Sequence, residues 1–205
     1  MKKLYIFDLD GVLIDSIKNM EMSWNIVKLH HNIEVSFDEY KKHIGKPFFD
    51  ILKELDITES HHKIKDTYDE ASNMMIDEVE IYEGAIETLE KIKEAGSKIA
   101  ICTSKDMVRV EKVIASLILK GKKFPKFDYV CAPKKGLRGK PAPDQLLYTM
   151  AFCNVDPHDA IYVGDMPSDL YCANRAGVDF IYAKYGYGEV TCEVSADQIS
   201  QVISL

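Results

Sequence analysis

The sequence predicts a doubly wound α/β fold with a helical insertion, and three observations carry that prediction. Five short apolar runs rich in β-branched or aromatic residues are spaced along the chain. They read as continuous apolar stretches, with helical patterns between them, which marks strands of a parallel sheet covered on both faces. One interval, residues 16–79, holds several helical stretches and no convincing strand.

The elements follow in order. LYIF (4–7) is the first strand. The insertion then supplies SIKNMEMSWNIVKLHH (16–31), SFDEYKKHI (36–44), PFFDILKEL (47–55) and TESHHKIKDTYDEASNMMI (58–76), all of helical character. The chain returns through IYEGAIETLEKIKEAG (81–96), where Ile86, Leu89 and Ile92 share a face and Gly96 closes the helix. KIAIC (98–102) is the second strand, followed by the helix DMVRVEKVIASLILKG (106–121). FDYVC (127–131), the helix APDQLLYTMAFC (142–153), AIYV (160–163), the helix SDLYCANRAG ending in Gly177, and DFIYA (179–183) complete the alternation. This organisation divides the chain into a core of residues 1–15 and 80–205, with a sheet of about five strands, and a small helical unit of residues 16–79 over the sheet edge that carries Asp8.

With 205 residues, 46% of them hydrophobic, the chain can bury one sizeable core, with or without a smaller inserted unit. A net charge of −7 argues against a general nucleic-acid binder, which needs clustered positive surface against phosphates. The first apolar run is too short for a secretory segment, and none approaches the roughly 20 residues of a membrane span. The five cysteines (102, 131, 153, 172 and 192) form no C-x-x-C, so neither a disulfide framework nor a zinc site is suggested. A soluble, cytoplasmic protein, monomer or homodimer, with no nucleic-acid or membrane partner, is the expectation.

Ligands of open α/β sheets bind beyond the carboxyl ends of the strands. There the sequence places Asp8 and Asp10, Thr103 and Ser104, Lys140, and Asp165 with Asp169. Asp8 and Asp10 stand two apart on one side of an extended segment, which is costly unless a cation lies between them. Few carboxylates together with a phosphate oxygen suit Mg²⁺. Thr103 and Ser104 lie where a strand passes into a helix, so hydroxyls and free N–H groups face a bound anion. Lys140 supplies a fixed positive charge. An EF-hand also begins D-x-D, but its next ligand position would be Val12 and its glycine would fall on Leu13.

DLDGVLIDS (8–16), ICTS (101–104), RGKPAPD (138–144) and YVGDMPSD (162–169) together resemble the four motifs of the haloacid dehalogenase superfamily, in order along the whole chain. The resemblance is to its phosphatase branch, similar to phosphoglycolate phosphatase and β-phosphoglucomutase. It implies a Rossmann-like core with a helical cap inserted after the first motif. About nine residues separate the third strand from Lys140, too few for the larger second cap type. Asp8 is thereby implied to be the nucleophile that forms an aspartyl-phosphate. Asp10 would protonate the leaving oxygen and later activate water. Asp8, the backbone carbonyl of Asp10, and Asp165 would hold Mg²⁺, with Asp169 as ligand or support. Thr103, Ser104 and Lys140 would bind the transferred phosphoryl group of a small phosphorylated metabolite.

A sugar phosphomutase would use the same residues, and a non-catalytic binding module would share the fold. A haloacid dehalogenase has no need for an acid at position 10 or for Asp165. In the IGKP turn (44–47), Lys46 is a candidate for a substrate anion or part of a plain helix link. The YGYG tail (185–188) resembles the phosphoglycolate phosphatase group, or is a loop. Lys134, Lys135 and Arg138 read as a solvated charge run.

Overall fold

The computed structural model describes residues 1–205. Strand β1 (Leu4–Phe7) lies at the centre of a six-stranded parallel sheet, flanked by β4 (Lys98–Cys102) and β6 (Ala160–Gly164). Beyond β4 runs β5 (Tyr129–Cys131), and beyond β6 run β7 (Asp179–Ala183) and β8 (Ser195–Ala196). The five strands read from the sequence are all present. The sixth, β8, is two residues long and follows no apolar run, so it had no signal of its own.

Alternation along the strands divides the core between the two faces of the sheet. Tyr5, Phe7, Ile99, Ile101, Ile161 and Val163 face α5 (Ala85–Glu94) and α6 (Met107–Leu119), packing on Leu89, Ile92, Val110 and Leu117. Leu4, Ile6, Ala100, Tyr162 and Phe180 face α7 (Asp144–Cys153) and α8 (Pro167–Ala176), packing on Leu146, Met150, Cys172 and Ala173. The register matters most for the site. Phe7 pairs with Ile101 and with Val163, so β1, β4 and β6 end level and their following residues emerge on one rim.

Two short strands mark where the chain leaves and rejoins this core. β2 (Ile14–Asp15) pairs antiparallel with β3 (Glu80–Ile81). Between them lie α1 (Ile17–His31), α2 (Phe37–Lys41), α3 (Phe48–Glu54) and α4 (His61–Met74). These helices enclose their own cluster, in which Trp24 is fully buried, stacks on Tyr40 at 4.4 Å between ring centroids and donates its indole N–H to the Val35 carbonyl. Met166, from the loop after β6, joins that cluster and ties the helical layer to the rim. No helix is long and apolar enough to cross a membrane.

Candidate active site

The rim brings Asp8, Asp10, Thr103, Lys140, Asp165 and Asp169 together, all of them buried. Asp8 follows β1 directly, and its N–H donates to the Val163 carbonyl at 2.9 Å, which locks the residue to β6. Its Oδ1 accepts the Leu9 N–H at 2.7 Å, and its Oδ2 lies 2.8 Å from the Lys140 ammonium. Lys140 also donates to Asp169 Oδ1 at 2.7 Å and to the Tyr162 hydroxyl at 2.9 Å, so three partners match its three protons. Burial works against that ammonium, yet Asp169 and Asp8 outweigh it and hold its pKa well above the usual lysine value.

Asp169 is engaged on both oxygens. Oδ1 takes Lys140 and the Tyr162 hydroxyl, while Oδ2 accepts the N–H groups of Asp165 and Met166 at 3.2 and 3.0 Å. Asp165 differs. Its Oδ2 accepts the Tyr187 N–H at 2.8 Å, but its Oδ1 is buried with no hydrogen-bond partner. Gly11 and Gly186 crowd the same carboxylate, for a Cβ on Gly11 would stand 2.2 Å from Asp165 Oδ2, and Gly11 itself has φ +80. Only glycine fits that turn at that distance.

Carboxylate oxygens of Asp8, Asp165 and Asp169 lie within 4.8 Å of one another. Burial pushes the Asp8 carboxyl up to about 7, with Lys140 pulling the other way and Asp169 and Asp10 adding repulsion. Burial also lifts Asp165 well above the carboxylate range, and Asp169 and Asp8 add to it. Hard oxygens, mutual repulsion and an orphaned buried carboxylate oxygen make a donor set that fits a divalent cation such as Mg²⁺.

Asp10 lies apart from this triad. Its Oδ1 accepts the Ser16 hydroxyl at 2.5 Å and faces the Lys105 ammonium at 3.1 Å. Thr103 follows β4, and its Oγ1 accepts the Lys105 N–H at 3.1 Å. Ser104 lines the same cavity, but its hydroxyl donates to the Gly45 carbonyl at 2.6 Å, which binds the IGKP turn to the rim. Lys46 of that turn borders the cavity while its ammonium pairs with Glu54 at 2.5 Å.

A family model described as haloacid dehalogenase-like hydrolase matches residues 5–183. The chain belongs to this family. A curated relative, phosphoglycolate phosphatase 1 of Pseudomonas aeruginosa, is 26% identical over 91% of this chain and 71% of its own length. Family and relative make the chain an enzyme, a hydrolase of phosphatase type. The fold is shared with a hydrolase from Pseudomonas syringae (TM-score 0.88, 20% identity, 99% of this chain and 97% of that one). It is shared as well with a β-phosphoglucomutase from Clostridium difficile (TM-score 0.79, 21% identity, 98% and 93%).

In this haloacid dehalogenase-like hydrolase, the cavity between the rim and the helical layer has walls that sequence reasoning did not foresee. Lys105 and Arg109 line it, with Tyr40, Tyr68 and Phe48 from the helices. Arg109 lies over the Tyr68 ring at 5.0 Å and donates to the Ser72 hydroxyl at 3.0 Å, so it crosses from α6 to α4. Burial, and then the Arg109 charge, lower the Lys105 pKa against the pull of Asp10. The one signal in the sequence is the spacing of four between Lys105 and Arg109 where a strand passes into a helix, and such charges usually mark a solvated face.

Proposed function

We propose that the chain is a Mg²⁺-dependent phosphatase that hydrolyses a small phosphomonoester through an aspartyl-phosphate on Asp8. The observation that carries this reading is the position of the Asp8 carboxylate, 2.8 Å from the Lys140 ammonium and with an oxygen within 4.8 Å of the carboxylate of Asp165, whose Oδ1 has no partner. Asp8, the backbone carbonyl of Asp10, and Asp165 would hold the ion. When bound, Mg²⁺ supplies charge that offsets the gathered carboxylates and the phosphoryl oxygens.

An Asp8 oxygen attacks phosphorus as the bond from phosphorus to the ester oxygen breaks. Asp10, protonated at that moment, gives its proton to the leaving oxygen. Thr103 and Lys140 face the equatorial oxygens, where charge spreads during transfer. Asp10, now a carboxylate, takes a proton from water as that water attacks phosphorus, and the Asp8 carboxylate is released with phosphate. Asp169, engaged on both oxygens, acts by orienting Lys140, which favours support over ligation. Residues 16–79 serve as the cap that closes the cavity, and the Ser104 contact to Gly45 supports that role.

Tyr40, Phe48, Ile51 and Tyr68 from the helices wall the cavity over the rim and support a compact ester as substrate. Lys105 and Arg109 on its wall favour an ester with a second negative group. A phosphoglycolate-like substrate meets both conditions, and the curated relative's name points the same way. Purified protein should release phosphate from an aryl phosphate with Mg²⁺ and stop on chelation. Asp8→Asn should abolish turnover, and activity surviving that substitution refutes the nucleophile.

A further inference from the structure

We propose that Tyr187 is a positioning residue for proton transfer: its hydroxyl anchors Ser16, and Ser16 in turn orients the Asp10 carboxylate. The inference rests on reading Asp10 as the acid and base of the reaction.

The segment YGYG follows β7 as a turn, closed by the Gly186 N–H donating to the Ala183 carbonyl at 3.1 Å, and its tyrosines and glycines meet different loops. The tyrosines face the loop that follows β1: Tyr185 donates its hydroxyl to the Val12 carbonyl at 3.1 Å, and the Tyr187 hydroxyl accepts the Ser16 N–H at 2.6 Å. The glycines face the loop after β6. A Cβ on Gly186 would stand 2.3 Å from Asp165 Cβ, and one on Gly188 would stand 2.7 Å from the Asp165 carbonyl oxygen. One four-residue strap therefore touches the two loops that carry Asp10 and Asp165.

Ser16 is the relay. It follows β2, at the point where the chain leaves the sheet for α1, and it is buried. Its backbone N–H is held by Tyr187, and its single hydroxyl proton goes to Asp10 Oδ1 at 2.5 Å. The Tyr187 hydroxyl keeps its own proton for Ser16 Oγ or Asp15 Oδ1, each at 3.3 Å, or the Ile14 carbonyl at 3.4 Å. Both donors on the Asp10 carboxylate, Ser16 and Lys105, converge on Oδ1. Oδ2 is left as the oxygen that exchanges the proton with substrate. Without the Tyr187 hydroxyl the serine loses its anchor, and the Asp10 carboxylate can turn the wrong oxygen inward.

Tyr187→Phe removes the hydroxyl and keeps the backbone N–H on Asp165. The variant should be compared on an alkyl phosphate, whose leaving oxygen needs a proton, and on p-nitrophenyl phosphate, whose leaving group departs as an anion. The ratio of kcat/KM for alkyl over aryl ester, which reports the step in which the leaving group departs, should fall about tenfold, a fraction of the 10²–10⁴ typical of general acid catalysis. Mg²⁺ affinity measured by calorimetry should change by less than about twofold, since lost support to a metal ligand typically costs 10–100-fold. Ser16→Ala should lower the ratio in the same way and carries the test if Tyr187→Phe folds poorly, and the double variant should do no more than the larger single one. An equal fall in kcat/KM for both esters, or Mg²⁺ affinity falling in step, overturns the proposal. Asp10→Asn separates the two levels: if it leaves the ratio unchanged, the acid assignment itself fails, whereas a ratio that responds to Asp10→Asn and not to Tyr187→Phe defeats only this inference.

Discussion

Among single residues, Lys105 and Arg109 set the chemistry of the cavity wall apart from the chemistry of the rim. A buried ammonium with one carboxylate partner at 3.1 Å has donors to spare, and burial alone disfavours its charge. An anionic group on the substrate would use those donors. Lys105→Met keeps the length of the side chain and drops the charge. For phosphoglycolate, kcat/KM should fall about 10- to 100-fold, the effect of one charge-assisted hydrogen bond worth roughly 1.5–3 kcal/mol. For ethyl phosphate the loss should be smaller, because only the contact to Asp10 is disturbed. Equal losses on the two esters would confine Lys105 to its contact with Asp10. The rim residues were legible in the sequence because strand ends in a parallel sheet announce where ligands bind, so Asp8, Asp10, Lys140 and Asp165 could be singled out by position and type. Lys105 and Arg109 were not, since their inward direction depends on how α6 meets α4, a packing outcome that no local pattern encodes.

For the elements, length decided what could be read. The long helices and the five apolar strands carry periodic signals, and their observed limits fall within a few residues of the expected ones. The pairs β2–β3 and β7–β8 involve two-residue strands whose hydrogen bonds come from tertiary placement, so no sequence period marks them. The YGYG strap is a case between. Its composition suggested either a family likeness or a loop, and the structure gives its alternation a packing reason: tyrosines toward residues 12–16, glycines against Asp165 and Met166. That reason has a direct consequence for Gly186→Ala. The added methyl would stand 2.3 Å from Asp165 Cβ and 2.6 Å from its Oδ2, and the opposing Gly11 backbone, at 2.6 Å, closes the way out. Asp165 must move. Mg²⁺ affinity should drop about 10- to 100-fold, the usual cost of disturbing the support of a metal ligand. Calorimetric titration with Mg²⁺ measures it, and an unchanged affinity would show that the strap yields instead of the carboxylate.

In the molecule as a whole, the sheet and the helical layer meet over a charge imbalance. Asp8, Asp165 and Asp169 contribute three buried carboxylates against one buried ammonium, Lys140, a formal excess of two negative charges. Asp10 and Lys105 balance each other nearby. Folding must therefore assemble a site that resists its own ionisation, which is why burial and neighbouring carboxylates drive Asp8 and Asp165 upward. A divalent cation would remove the excess, and because the register of β1 against β6 brings Asp8 level with the loop that carries Asp165 and Asp169, its binding energy would be linked to folding. At a concentration 100 times its Kd, Mg²⁺ should add about 2.7 kcal/mol. For a chain of this size that corresponds to a rise in Tm of roughly 5–10 °C. Thermal denaturation with MgCl₂ against EDTA, at matched ionic strength, reads the effect directly. Asp165→Asn should erase the Mg²⁺-dependent rise and, by removing one of the buried charges, leave the metal-free protein at least as stable as before. A variant whose Tm still climbs with Mg²⁺ would mean that the ion stabilises the fold elsewhere, and that the orphaned oxygen of Asp165 is not what draws it in.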